Sequence, residues 1–298
     1  MENLLKKCML CPRNCGIDRT NNERGFCKSG VFPKVSRAAL HFWEEPCISG
    51  EAGSGTVFFS GCNLQCVFCQ NSKISNGEIG EEISTERLSE LYLKLQDEGA
   101  LNINLVTPTH YIPQIAESLD IAKRKGLTLP VVYNTGGYEK ASSIKLLDGY
   151  VDIYLPDFKY YNDKYAVKYS NAPEYFKFAS ESLAEMVRQT GTPKFDSNGI
   201  LQTGTIVRHL MLPGLLFDSK KVIDYLYKTY KDDIYISIMN QYTPMKSFTD
   251  FPELNKKISW EYYNCLIDYA LELGIKNAFV QEKETADKSF IPDFYDKL

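Results

Sequence analysis

In the stretch FFSGCNLQCVFCQN, Cys62, Cys66 and Cys69 follow the spacing Cys-x3-Cys-x2-Cys directly behind an apolar, strand-like run. Three thiols on one loop are an unusual number. A structural zinc ion takes four ligands in closed tetrahedral geometry. A four-iron cubane needs one outer ligand per iron, so three cysteines hold three irons and leave the fourth open to a small molecule. Gly61 lets the backbone pass close to such a group. Zinc ligation completed by a distant histidine, or buried free thiols, is the blander alternative.

A second set, Cys8, Cys11, Cys15 and Cys27, is spaced Cys-x2-Cys-x3-Cys-x11-Cys, with Pro12, Gly16 and Gly25 supplying turns. Four thiolates at such spacing fit a zinc ion or an iron–sulfur cluster, and either would order a segment with little apolar core. Cys47 and Cys265 stand apart and read as small hydrophobes. Nine cysteines, seven of them in tight local spacings, behind an N-terminus without a secretory apolar run, imply metal ligation in a reducing, cytoplasmic setting.

The chain has 298 residues, 44% hydrophobic and 24% charged, which is ordinary for a globular protein. A formal charge of −4 and a pI near 5.6 argue against a broad nucleic-acid-binding surface. No window has the length and apolarity of a membrane span, so no membrane partner is expected.

The elements that must position these thiols alternate regularly. Strands are expected at 56–60, 102–106, 130–134, 152–157, 205–212, 234–239 and 277–281, and helices at 84–98, 113–125, 139–147, 173–190, 219–230 and 258–273. In STERLSELYLKLQDEG, Ser84 caps a helix whose Leu88, Leu91 and Leu95 share one face before Gly99. Such alternation implies βαβ units and a parallel sheet. About six units fit, so the expected fold is α/β, a partial (β/α)6 TIM-like barrel preceded by a small Cys-rich lobe. The expected division is a metal-binding lobe at 1–50 and a core with a C-terminal extension at 51–298. Residues 158–204 read as a Tyr-rich insertion between strands.

GCNLQCVFCQN resembles the signature loop of radical S-adenosylmethionine (SAM) enzymes, and the likeness extends over residues 8 to 245. It is close to the pyruvate formate-lyase activating-enzyme group and closer to that group's activase-like relatives, which share the run from EEPCISGEAGSGT into the loop. The resemblance implies that Cys62, Cys66 and Cys69 hold a 4Fe–4S cluster whose open iron binds SAM. Reductive cleavage then yields methionine and a 5′-deoxyadenosyl radical that abstracts hydrogen. Phe68 sits where that family places a side chain beside the adenine. VVYNTGGY makes Asn134 and Thr135 SAM contacts, YLPDFKY brings Asp157 and Lys159 to the SAM carboxylate, and VRHLMLPG offers Arg208 to the carboxylate or ribose. A low-potential donor, flavodoxin or ferredoxin, is the implied partner, and a glycyl radical enzyme the implied target.

One departure matters. Where activating enzymes carry Gly-Gly-Glu behind the second strand, this chain has LVTPTHYIP, so Thr107, Thr109 and His110 are left to meet the SAM amino group without a carboxylate's charge. His110 reads equally as a substrate contact or a structural residue. NQYTP (240–244) is expected on the substrate side, and Glu44 and Glu45 read either as a substrate-facing acidic pair or, by default, as an exposed charged loop. The competing function is a non-catalytic iron–sulfur or zinc carrier or sensor, which would bind metal without cleaving SAM.

Overall fold

The computed structural model describes residues 2–281. Its strands are β1 (Lys34–His41), β2 (Ser54–Phe59), β3 (Glu81–Glu82), β4 (Ile103–Val106), β5 (Val131–Thr135), β6 (Ile153–Pro156), β7 (Lys194–Phe195), β8 (Leu201–Leu210), β9 (Tyr235–Met239) and β10 (Ala278–Val280). The helices are α1 (Glu2–Lys6), α2 (Pro46–Ser49), α3 (Ser72–Ser75), α4 (Thr85–Asp97), α5 (Ile112–Arg124), α6 (Ala141–Ile144), α7 (Asp163–Ser170), α8 (Tyr175–Thr190), α9 (Leu216–Tyr230) and α10 (Trp260–Glu272). The sheet runs β10-β9-β8-β6-β5-β4-β2-β1-β3, with β7 pairing on β8. From β2 to β10 along that path every pairing is parallel, whereas β1 joins β2 antiparallel. This is the expected α/β partial barrel, open between its ends, with the last expected strand present as β10.

Strand alternation sorts the side chains. Ile103, Leu105, Val131, Tyr133 and Tyr154 pack outward with the apolar faces of α4 and α5. Val132, Ile153, Leu155 and Ile206 face the barrel interior. Because successive side chains alternate, the residues two positions further along, Asn134, Asp157 and Arg208, also point inward at the carboxyl ends of their strands. The same periodicity that builds the core therefore delivers the polar residues to the barrel mouth. Ser84 caps α4 as its sequence implies, its hydroxyl accepting from the Arg87 amide at 3.1 Å.

Three features depart from the pattern read in the sequence. β1 and β3 extend the sheet from segments without clear alternation, because an edge strand with one face half exposed needs no strict two-residue period. The segment joining β1 to β2 turns into the barrel: Cys47 and Ile48 of α2 pack with Val132, Leu155, Leu201 and Ile206. Asn102 anchors this plug, donating to the Ile48 carbonyl at 2.7 Å. Finally, the Tyr-rich stretch behind β6 contains α7 ahead of the expected helix α8. α7 braces the cysteine loop, since the Val67 amide donates to the Tyr169 carbonyl at 2.8 Å and the Gln65 amide to that of Ser170 at 3.3 Å.

Candidate functional site

The loop carrying Cys62, Cys66 and Cys69 leaves the carboxyl end of β2, where parallel α/β folds place their ligands. All three cysteines are free thiols. The Leu64 amide lies 3.3 Å from Cys62 Sγ, and Ser170 Oγ donates to Cys66 Sγ at 3.0 Å. Burial raises both thiols, Cys66 to about 11, while Lys159 pulls Cys66 back towards ionisation. Sulfurs supplied with hydrogen-bond donors and a nearby ammonium suit a thiolate-ligated cluster. Phe68 is buried beside Tyr242, with ring centroids 6.1 Å apart, and Gln70 Nε2 donates to the Gln241 carbonyl at 3.3 Å. NQYTP thus lies against the cysteine loop.

Asn134, Asp157, Lys159 and Arg208 meet in one network. The Arg208 guanidinium donates to Asp157 Oδ1 at 3.0 Å, to Glu44 Oε2 at 3.2 Å and to Asn134 Oδ1 at 2.6 Å. Lys159 Nζ pairs with the other Asp157 oxygen. Burial opposes ionisation of Asp157, but Lys159 and Arg208 together outweigh it and hold the carboxyl below its ordinary value. Arg208 stays charged for the complementary reason: burial opposes the cation, and Asp157, Glu44 and Glu45 overcome that.

Glu44 and Glu45 are not on an exposed loop. The plug carries both inward, where Asn104 and Asn134 donate to Glu44 Oε1 at 3.1 and 3.3 Å. Glu45 Oε2 is buried with no hydrogen-bond partner among the described residues. Burial raises both carboxyls, with Arg208 opposing. Together with Trp43, Ser237, Gln241 and Phe279 they line a cleft of about 500 Å³ at the side opening of the barrel. Sequence reading missed this placement because it depends on the plug folding inward.

Behind β4, Thr107 has φ +58°, a left-handed conformation uncommon for a β-branched residue, which costs roughly 1–3 kcal/mol. Thr109 and Thr135 do not offer free hydroxyls to a ligand: both donate to Glu139 Oε1. Glu139 is wholly buried, and desolvation raises its carboxyl to about 7 against the Thr109, Thr135 and Tyr133 hydrogen bonds. Only the fold reveals that a carboxyl lies beneath these threonines. His110 faces the N-terminal lobe. Its Nε2 lies 2.9 Å from the Ser60 carbonyl, Arg19 donates to its own carbonyl, and burial drives it to about 3, so the ring is neutral. The clearance at Gly137 serves the protein itself, since a Cβ there would sit 2.0 Å from the Asp157 carbonyl oxygen.

Cys8, Cys11, Cys15 and Cys27 line one small, partly open cavity with Arg13, Arg19 and His110. Cys47 lies in the barrel plug and Cys265 is exposed on α10, both apart from the two thiol sets.

A parallel α/β partial barrel with a three-thiol loop behind its first parallel strand defines the class. The chain belongs to the radical SAM superfamily, whose family profile matches residues 56–226. That family implies a 4Fe–4S cluster and SAM. The chain is 29% identical over 287 residues to the uncharacterized protein MJ0674 of Methanocaldococcus jannaschii, covering 92% of this chain and 76% of that one. Among solved structures it is similar to a radical SAM methyltransferase from Sphaerobacter thermophilus (TM-score 0.52, 15% identity, 80% of this chain and 69% of that one). It is also similar to Streptococcus suis SuiB bound to S-adenosylmethionine (TM-score 0.51, 14% identity, 76% of this chain). The match spans about half of the SuiB chain, covering 50% of it. Among the described residues no helix is long and apolar enough to cross a membrane.

Proposed function

We propose that this chain is a radical SAM oxidoreductase of the activase-like type, with Cys62, Cys66 and Cys69 holding a 4Fe–4S cluster. When bound, that cluster supplies the electron for reductive cleavage of SAM, releasing a 5′-deoxyadenosyl radical that takes hydrogen from the substrate. The carrying observation is that the three-thiol loop and the inward strand ends of Asn134, Asp157 and Arg208 share one barrel mouth, with Lys159 reaching from Asp157 towards Cys66. Lys159 and Arg208 provide fixed positive charge for the SAM carboxylate, Asp157 holds both cations in place, and Asn134 orients the guanidinium. Phe68 offers its apolar face to the adenine and keeps water from the loop.

The side cleft bounded by Trp43, Glu44, Glu45 and Phe279 is the substrate entrance in this reading, and a backbone glycine of a glycyl radical enzyme is the proposed target. A flavodoxin or ferredoxin in a reducing cytoplasm is the proposed electron source. The residues before β1 act as a metal-ordered lobe, whereas β1 and the inward plug, expected at first within a lobe of 1–50, act as part of the catalytic core. The test is anaerobic reconstitution with iron and sulfide, dithionite reduction and addition of SAM. 5′-Deoxyadenosine should form, and changing Cys62, Cys66 and Cys69 together to Ala should abolish it. Intact SAM, with a cluster spectrum that SAM does not perturb, would return the chain to the carrier class.

A further inference from the structure

Cys66 is bonded from outside its own loop. Ser170 Oγ lies 3.0 Å from Cys66 Sγ, and the Tyr160 hydroxyl lies 2.7 Å from Ser170 Oγ. Cys62, by contrast, meets the Leu64 amide of the same loop. A serine inside a helix commonly returns its hydroxyl to the carbonyl four residues back. In α7 that carbonyl, of Ala166, accepts the Ala172 amide at 3.1 Å, and the Ser170 hydroxyl turns to the sulfur instead.

This contact does not depend on how the cysteine side chain turns. Gln65 and Val67, the neighbours of Cys66 on either side, donate their amides to the Ser170 and Tyr169 carbonyls at 3.3 and 2.8 Å. The backbone of Cys66 is thereby held against the end of α7. Tyr160 is equally fixed. Its ring packs edge to face with Tyr175, centroids 5.5 Å apart, and the Tyr175 hydroxyl accepts the Lys159 amide at 3.0 Å. Ser170 and Tyr160 are both fully buried, so bulk water does not compete for either hydroxyl.

We infer that Tyr160 and Ser170 form a hydrogen-bond relay that raises the reduction potential of the cluster held by Cys66. The inference rests on the proposed ligation by Cys62, Cys66 and Cys69. A ligating sulfur carries no proton, so Ser170 donates to it. Ser170 has one hydrogen to give, so it accepts from Tyr160, and each bond polarises the next. Reduction adds one negative charge to the cluster, and part of that charge falls on the ligand sulfurs. A donor at the sulfur therefore stabilises the reduced form more than the oxidised one. Ser170 touches the ligand, whereas Tyr160 is a positioning residue that acts through Ser170.

The wild-type chain, Ser170→Ala and Tyr160→Phe are reconstituted anaerobically with iron and sulfide, without SAM, and titrated against ambient potential under EPR. The signal followed is the one lost when Cys62, Cys66 and Cys69 are all changed to Ala. At the wild-type midpoint, Ser170→Ala should lower the ratio of reduced to oxidised cluster about tenfold, a shift of about 59 mV for one electron. Tyr160→Phe should lower it by less, and should add nothing in the Ser170→Ala background. An unmoved midpoint in Ser170→Ala overturns the relay and leaves the cluster reading intact. A further shift in the double variant overturns the route through Ser170. Should Ser170→Ala take up no iron, Tyr160→Phe decides by the same midpoint. If both lose iron, the hydroxyls hold the loop and do not tune the cluster, and the inference falls. A wild-type chain that takes up no such cluster overturns this inference and the proposed function together.

Discussion

At the scale of single residues, Arg208 is the most constrained side chain at the barrel mouth. It serves Asp157, Glu44 and Asn134 at once from one planar fork. Lysine keeps the charge and loses that geometry. Arg208→Lys is therefore expected to weaken SAM binding at least about tenfold, or about 1.4 kcal/mol, measured by titrating the reconstituted cluster's EPR signal with SAM. Glu139 makes a prediction of opposite electrostatic sense. Its carboxyl titrates near 7 in the folded chain against an ordinary value of 4.5, because burial disfavours the charge. The folded state then holds a proton that the unfolded state has lost, so this group's contribution falls as pH rises from about 4.5 to about 7 and is level above that. Glu139→Gln keeps an oxygen for Thr109 and Thr135 and removes the titration. Urea midpoints across this range should flatten in the variant, and an unchanged slope would refute the assignment.

At the scale of elements, the inward plug and the cysteine loop are where local sequence and tertiary demand meet. Ile48 is fully buried inside the barrel, and the short helix that carries it also carries Glu44 and Glu45 to their places. Ile48→Ala should cost roughly 2–5 kcal/mol in denaturant unfolding and also lower SAM affinity through the displaced Glu44. Preserved affinity despite full destabilisation would separate the plug from the site. Gly61 is a second pivot, with φ +88° and no space for a side chain. Gly61→Ala should destabilise the loop by roughly 1–3 kcal/mol and reduce the iron bound on reconstitution. Both effects come from turns whose importance is invisible in the periodicity of the strands.

At the scale of the molecule, the barrel has its own core, whereas the lobe before β1 is short of apolar packing and rests on its thiols. Metal loading should therefore protect the two regions unequally. Hydrogen exchange on the anaerobic chain should show amides of residues 8–30 protected when loaded and exchanging freely after chelation, while α4 and α5 stay protected throughout. Equal protection of the lobe in both states would show that it folds without metal.

Local spacing was enough to group the thiols, and the resemblance of the signature loop supplied their expected chemistry. Ligands on one loop lie within a few residues of each other, so Cys62, Cys66 and Cys69, and the grouping of Cys8, Cys11, Cys15 and Cys27, were legible without a fold. The parallel strands and their helices were equally legible, because burial on one face imposes a period that short windows record. What required tertiary structure was every relation between distant segments. The inward turn of the β1–β2 connection converts Glu44 and Glu45 from an apparent surface pair into buried partners of Arg208. The Glu139 carboxyl beneath Thr109 and Thr135, and the close approach of the Cys27 carbonyl to Gly61, likewise arise only where separate segments converge. Hydrogen bonds and desolvation depend on distances in space, and a linear pattern of residue types carries those distances only within one turn or one loop.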